Sequence, residues 1–137
     1  MDIVGFLTAR LDEDQSVAEA ASGRDPQWWE TGPGYPEAPE VRVVNDRDDL
    51  IVPEVGELEA LHIARHDPAR VLAEVAAKRA IMAWHEVRRV ARDARDPEER
   101  ATVNICWCGY DEPCATIRHL AAPYADHPDY DPAWRPE

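Results

Sequence analysis

The sequence predicts a mainly α-helical single domain (α+β class) with a small β element, a long central helix and a cysteine-rich loop. Three observations support this prediction. Apolar residues recur at helical spacing near the N-terminus and again in the centre of the chain. A stretch rich in proline and glycine separates these two regions, and all three cysteines lie together near the C-terminus. The length of 137 residues fits one domain.

The first part of the chain predicts a helix followed by a loop with short strands. Over residues 1–22, Asp2 can cap a helix that Ser22-Gly23 ends. The apolar face of this helix carries Ile3, Leu7, Leu11 and Ala18. In residues 27–53 prolines and glycines break any helix, and three short apolar runs can form strands: Gln27-Trp28-Trp29, Val41-Arg42-Val43-Val44 and Leu50-Ile51-Val52. Strands this short must pack on a helix to be stable.

The centre of the chain, residues 54–94, predicts a short helix followed by the long one. The short helix covers residues 54–65. Asp67-Pro68 is the strongest local signal, because aspartate is a preferred N-cap and proline is preferred at the first helical position. The long helix is therefore expected over residues 68–94, before Asp96-Pro97 breaks the chain.

Residues 101–137 predict the cysteine loop, a short helix and a C-terminal strap. The cysteines occupy a loop or small strand over residues 101–114, and a short helix follows over about residues 113–122. From Pro123 onward the tail is rich in proline and aromatic side chains. Disordered tails rarely carry so many aromatics, so we expect this segment to pack on the fold as an extended strap.

Charge excludes several classes of partner. The chain carries 15 basic and 28 acidic side chains, which gives a formal net charge of −13. Direct binding of nucleic acid or of an anionic membrane surface requires a basic face, so neither is expected. No stretch approaches the roughly 20 apolar residues that a membrane span needs. The start Met1-Asp2-Ile3-Val4 lacks the features of a signal peptide, and we expect a cytoplasmic protein.

The strongest candidate for chemistry is the group Cys106, Cys108 and Cys114, which has the spacing C-x-C-x5-C. In a cytoplasmic chain such a group is more typical of metal ligands than of disulfides. Zinc suits thiolates in a tetrahedral set, and Gly109 suits the tight turn that such a site requires. Buried, unreactive thiols are the main alternative. A redox or nucleophilic role is disfavoured, because Asp111-Glu112 would raise the pKa of a neighbouring thiol.

Two histidines are candidates for a fourth ligand. His85 lies on the predicted long helix, and an antiparallel return through residues 96–105 could bring the cysteine loop alongside it. His119 follows Cys114 with the spacing C-x4-H, which zinc-binding histidines also use. The spacing leaves both candidates open.

The remaining histidines give weaker signals. His62 and His66 share one helix face at i and i+4 and could chelate a metal. Ile63 stands where a metalloprotease motif has its glutamate, so we favour a structural role for this pair. Asp126-His127 in the tail could act in acid–base chemistry, but no nucleophile is identifiable beside it. The common nucleotide-binding and hydrolase motifs are absent from the sequence.

Three segments resemble a known family: FLTARLDED at residues 6–14, HIARHDPARVL at residues 62–72 and PYADHPDY at residues 123–130. The chain is similar to small actinobacterial and actinophage proteins that form a family of unknown function. This resemblance implies one intact domain in which the tail belongs to the fold. It also implies a ligand set of His85, Cys106, Cys108 and Cys114. The chain departs from the family pattern in the C-x-C spacing and in carrying His119.

Together these observations predict a non-catalytic, zinc-stabilised cytoplasmic protein that binds a protein partner through an acidic surface. Two alternatives stay open. One is a small metal-dependent enzyme that uses His62 and His66, joined by His127. The other is an acidic decoy that occupies a DNA-binding protein, which the net charge of −13 suggests.

Overall fold

A computed structural model of the chain describes residues 1–22, 28–32, 41–45, 50–91, 102–109 and 113–136. In these ranges the chain forms four α-helices and five strands, which confirms the predicted class of a mainly helical protein with a small β component. The chain divides into two compact units. We call Met1–Leu11 with Ala77–Glu137 the terminal unit, and Asp12–Ala76 the central unit. The single domain expected from the sequence stays a prediction.

The first helix, α1 (Ile3–Ser22), confirms the predicted N-terminal helix. Asp2 caps it, because its Oδ1 accepts a hydrogen bond from the backbone N–H of Gly5 at 2.7 Å. Leu7 and Leu11 on its apolar face are fully buried, as the helical spacing predicts.

The central unit holds a three-stranded antiparallel sheet in the order β1-β2-β3. Its strands are β1 (Trp29–Gly32), β2 (Val41–Asn45) and β3 (Leu50–Val55). The second and third strands lie where the sequence predicts them, whereas the first begins at Trp29, the last residue of the predicted run, and continues to Gly32. Helix α2 (Glu57–Arg65) packs against β1 and β2. The sheet therefore leans on a helix, as strands of this length require.

Asp67 starts helix α3 (Pro68–Trp84) as the sequence predicts. Its Oδ1 accepts a hydrogen bond from the backbone N–H of Arg70 at 2.7 Å, which is the N-cap interaction. Its Oδ2 lies 3.4 Å from the backbone N of Trp29 on β1. The buried carboxylate thus joins the start of the helix to the edge of the sheet.

The long helix is shorter than predicted, and the expectation that it continues to residue 94 is wrong. It ends at Trp84, and Val87–Ala91 form strand β4, which pairs antiparallel with β5 (Thr102–Cys106). The valines at 87 and 90 are compatible with helical spacing, but β-branched residues also favour strands. Pairing with β5 favours the strand over the helix. Because β5 lies further along the chain, this contact has no local signal in the sequence.

Other predictions fall outside the described residues. These are the helix end at Gly23, Gln27 of the first predicted strand, the part of the proline- and glycine-rich stretch at residues 33–40, the chain break at Asp96-Pro97 and the acidic pair Asp111-Glu112.

The C-terminal segment forms helix α4 (Ala115–Ala121), as predicted, and two short 3-10 turns at Ala122–Tyr124 and Pro132–Trp134. Within the terminal unit, the tail packs on α1 through aromatic rings. It does so in tight turns, whereas the sequence predicted an extended strap. The ring of Phe6 is central, with its centroid 5.8 Å from that of Tyr130 and 5.2 Å from that of Trp134. The buried core of this unit consists of Ile3, Phe6, Leu7, Cys106, Cys114, Ile117, Ala121 and Tyr130.

Among the described helices, none combines the length and the apolar character that crossing a membrane requires.

Candidate metal centre

Four residues from different elements of the terminal unit converge at one point. His85 directly follows α3, Cys106 ends β5, and Cys114 is the N-cap residue of α4. Cys108 lies in the turn after β5. The register of the β4–β5 pair explains this convergence. Val87 lies opposite Cys106, and this pairing brings Cys106 close to His85, two residues before Val87.

The ligand atoms of these four residues all lie within 4.8 Å of one another. The Nδ1 atom of His85 is 3.3 Å from the Sγ of Cys106 and 3.4 Å from the Sγ of Cys114. None of the three cysteines takes part in a disulfide bond. Cys106 and Cys114 are buried, His85 is half-buried and Cys108 is exposed. Such a set of three thiols and one imidazole could hold a metal ion.

Backbone geometry fixes the turn that carries Cys108. Gly109 has φ of +87°, in the left-handed region that side chains with a Cβ rarely adopt. Its N–H donates to the carbonyl of Cys106 at 2.8 Å, and the N–H of Trp107 donates to the carbonyl of Glu86 at 3.0 Å. The first bond closes the turn, and the second holds the loop against the segment that carries His85. The sequence prediction that Gly109 serves a tight turn is confirmed.

Burial raises the pKa of the Cys106 thiol from 9.0 to about 12. Desolvation is the largest cause of this rise in pKa. Side-chain hydrogen bonds with Cys108 and Cys114 and the charge of Cys114 add to it, and a backbone hydrogen bond at Cys108 opposes it. The thiol is therefore protonated at neutral pH in the absence of a metal. A reactive thiolate at Cys106 is disfavoured, which agrees with the argument from the sequence against redox or nucleophilic chemistry.

His119 does not join this group. It lies exposed on α4, and the one group of at least three metal-ligating side chains in the described part of the chain contains His85 instead. The geometry therefore favours His85 of the two histidines that the spacing left open. That the four residues bind a metal stays a prediction.

The second predicted pair, His62 and His66, lies on and just after α2 with ring centroids 4.6 Å apart. Both side chains are exposed, and within the described ranges no group of three potential ligands includes either of them. His127 belongs to the terminal unit, where its Nε2 contacts a guanidinium nitrogen of Arg10. Its ring also packs edge-on against Phe6 at 5.7 Å. These contacts give His127 a packing role.

Sequence reasoning missed two tryptophans beside the candidate site. Trp84 directly precedes His85 and is 74% exposed, and Trp107 lies between Cys106 and Cys108 and is 54% exposed. The available signal was their position in the chain, next to predicted ligands. Their exposure depends on the tertiary structure, and the sequence does not predict it.

A family model described as a family of unknown function (DUF6221) matches residues 1–136. No curated protein and no solved structure matches the chain.

Proposed function

Because the chain belongs to the family of unknown function DUF6221, we propose its function from its own residues: a non-catalytic, zinc-stabilised protein-interaction module of the cytoplasm. The observation that carries the zinc proposal is the convergence of His85, Cys106, Cys108 and Cys114 within 4.8 Å. These residues come from three separate elements of the terminal unit, and one ion bound among them would crosslink those elements.

The spacing of the ligand atoms supports zinc. Bond lengths of about 2.3 Å to sulfur and about 2.0–2.1 Å to nitrogen give tetrahedral edges of roughly 3.5 Å between nitrogen and sulfur and roughly 3.8 Å between two sulfurs. The distances from His85 Nδ1 to the sulfurs of Cys106 and Cys114 are 3.3 and 3.4 Å. Sulfur-rich sets select zinc and other soft metals, whereas magnesium and calcium prefer oxygen ligands.

The number of ligands supports a structural role. Three cysteines and one histidine fill all four positions of a tetrahedral zinc ion. Catalytic zinc sites keep one position for water or substrate, and a Cys3His set leaves none. Burial points the same way, because Cys106 and Cys114 are part of the hydrophobic core beside Phe6 and Ile117. Metal binding at such a position contributes directly to folding.

An acidic surface supports the interaction role. The chain has 28 acidic and 15 basic side chains, and its net charge of −13 favours a partner with a basic surface. The metal-dependent enzyme is less well supported, because His62 and His66 are exposed and no third ligand joins them within the described residues. The decoy hypothesis depends on net charge alone.

Metal content tests this proposal. We expect tag-free protein to carry one zinc per chain by elemental analysis, and Cys108→Ser to lose most of it together with thermal stability. Cys108 is exposed, so the serine variant changes the ligand with little effect on core packing. The matched control is His119→Ala, which removes an exposed histidine outside the group and should keep its zinc. Well-folded wild-type protein without metal would refute the proposal.

A further inference from the structure

Two cavities adjoin the candidate metal centre and share Ala83 and Glu86. The smaller one, about 290 Å³, is completed by Trp84 and Trp107. The larger one, about 570 Å³, also reaches His85 and is lined by Asp2, Val4, Met82 and Ile117. Neither cavity is needed for the proposed zinc site, because the ligand atoms already face one another.

The smaller cavity displays unusual side chains for a protein surface. Trp84 is 74% exposed and Trp107 is 54% exposed, although tryptophan is usually largely buried. Exposed tryptophans around a concavity are typical of binding sites, where they supply large contact areas. Glu86, which is also exposed, lines the same cavity and makes its lining acidic.

Charge identifies the kind of group that this cavity suits. Aromatic faces and a carboxylate together attract a cation. Asp2 adds a second carboxylate at the larger cavity, and neither lysine nor arginine is among the described residues that line the two cavities. The net charge of the chain, −13, is also negative and therefore also favours a cationic partner. The larger cavity adds apolar side chains, among them Met82 and Ile117, which suit an apolar neighbour of the cation.

We propose that the two cavities together bind an arginine-containing segment of a protein partner. The guanidinium stacks on the indoles of Trp84 and Trp107 and pairs with the carboxylate of Glu86. An apolar side chain of the same segment enters the larger cavity. Arginine fits better than lysine, because its planar group both stacks on aromatic rings and pairs with a carboxylate through two hydrogen bonds.

This inference deepens the proposed function and rests on it for one feature, the dependence on metal. Trp84 and Glu86 flank the proposed ligand His85, and Trp107 lies between two proposed ligands. The hydrogen bond from Trp107 N–H to the Glu86 carbonyl, at 3.0 Å, joins the two segments. A bound zinc would fix both segments and thereby the smaller cavity, so metal and partner binding are coupled.

Titration with a small arginine compound tests the proposal. N-acetyl-arginine methylamide is added to zinc-loaded protein, and NMR follows the five tryptophan indole N–H signals. The control is the citrulline analogue, which has nearly the same shape and no charge. We expect saturable shifts of the Trp84 and Trp107 signals with the arginine probe and none with the citrulline analogue. EDTA should remove most of the Trp107 response.

Variants assign the response to the cavity. Trp84→Ala and Glu86→Gln should each weaken binding about fivefold, as expected for a cation–π contact or a partly exposed ion pair. The matched control, Trp28→Ala, removes a tryptophan that is 69% exposed in the central unit and should not change binding. Both tested side chains are exposed, so the variants should fold.

The outcomes separate this inference from the proposed function. Equal shifts with both probes, shifts spread over the acidic residues, or no saturation would overturn the arginine site. If the zinc content of the same sample is one per chain, the proposed function survives that result. Saturable arginine binding that persists unchanged after EDTA has removed the zinc would support the cavity and refute its coupling to metal. A zinc content of zero in that folded sample would also refute the zinc proposal.

Discussion

Two groups of residues in this chain have the sequence features of metal ligands, and the structure treats them differently. His62 and His66 lie within one short segment, are exposed and gain no third ligand among the described residues. His85, Cys106, Cys108 and Cys114 come from separate elements and converge within 4.8 Å, with two thiols in the hydrophobic core. Ligands within one segment can be close without forming a site, whereas convergence of distant ligands requires the fold.

Removal of a buried ligand should give the largest difference between the two groups. We expect Cys114→Ser to abolish zinc binding and to lower the free energy of unfolding by about 3–5 kcal/mol, at the upper end for a single substitution, because it removes a ligand of a structural metal. His62→Ala, at an exposed position, should change the free energy of unfolding by less than about 0.5 kcal/mol. Chemical denaturation checks both values. Comparison in EDTA isolates the metal contribution, because the difference between wild type and Cys114→Ser should then shrink. A difference that EDTA leaves unchanged would mean that Cys114 acts only through packing.

Strain in the ligand turn should give the next largest effect. Gly109→Ala places a Cβ at φ of +87°, and no atom of the described residues lies within 4 Å of that Cβ, so we expect the cost to come from backbone strain. We expect a loss of about 1–2 kcal/mol in zinc affinity, measured by competition with a chromophoric chelator. An affinity equal to that of wild type would show that the turn does not position Cys108 for the metal.

Zinc affinity should fall as the pH falls. The pKa of Cys106 is raised to about 12, so its thiol is protonated in the metal-free protein and must release a proton when it binds zinc. Below that pKa, each unit of pH lost should cost about tenfold in affinity for this one proton, or about 1.4 kcal/mol. Calorimetry in buffers of different ionisation enthalpy would count the protons released. Binding without proton release would exclude Cys106 as a thiolate ligand.

A small effect on stability, and none on zinc binding, is expected at the helix cap next to the histidine pair. Asp67→Ala removes the N-cap of α3 and the contact of its carboxylate with the Trp29 backbone. The expected loss is about 1 kcal/mol of unfolding free energy. Zinc content should not change, because Asp67 lies in the central unit and the four proposed ligands lie in the terminal unit. Loss of zinc from folded Asp67→Ala would contradict the separation of the two groups.

Local signals explain which parts of the fold the sequence predicts. As N-caps, Asp2 and Asp67 each accept a hydrogen bond from the backbone N–H three residues ahead. Because this interaction is local, the sequence predicts both helix starts correctly. Strand β4 was predicted as helix because its formation depends on pairing with β5, which follows the undescribed residues 92–101. Tertiary pairing of this kind has no local signature.

At the candidate site, too, the sequence predicts the local features and not those that depend on tertiary pairing. The cysteine spacing alone indicated a metal-ligand loop, and Gly109 indicated its turn. Spacing did not choose between His85 and His119, because the choice depends on the register that sets Cys106 opposite Val87. The cavity beside Trp84 was missed for the same reason, since the exposure of a tryptophan results from packing.

X-ray absorption spectroscopy of the zinc-loaded protein tests the central claim most directly, because it reports the atoms bound to the ion. A closed structural site predicts three sulfur ligands at about 2.3 Å and one nitrogen at about 2.0–2.1 Å. Cys108→Ser should lose one sulfur from this shell, and His62→Ala should leave the shell unchanged. A shell made mainly of oxygen and nitrogen, or one that includes a water ligand, would contradict the assignment of His85, Cys106, Cys108 and Cys114 as a closed zinc site.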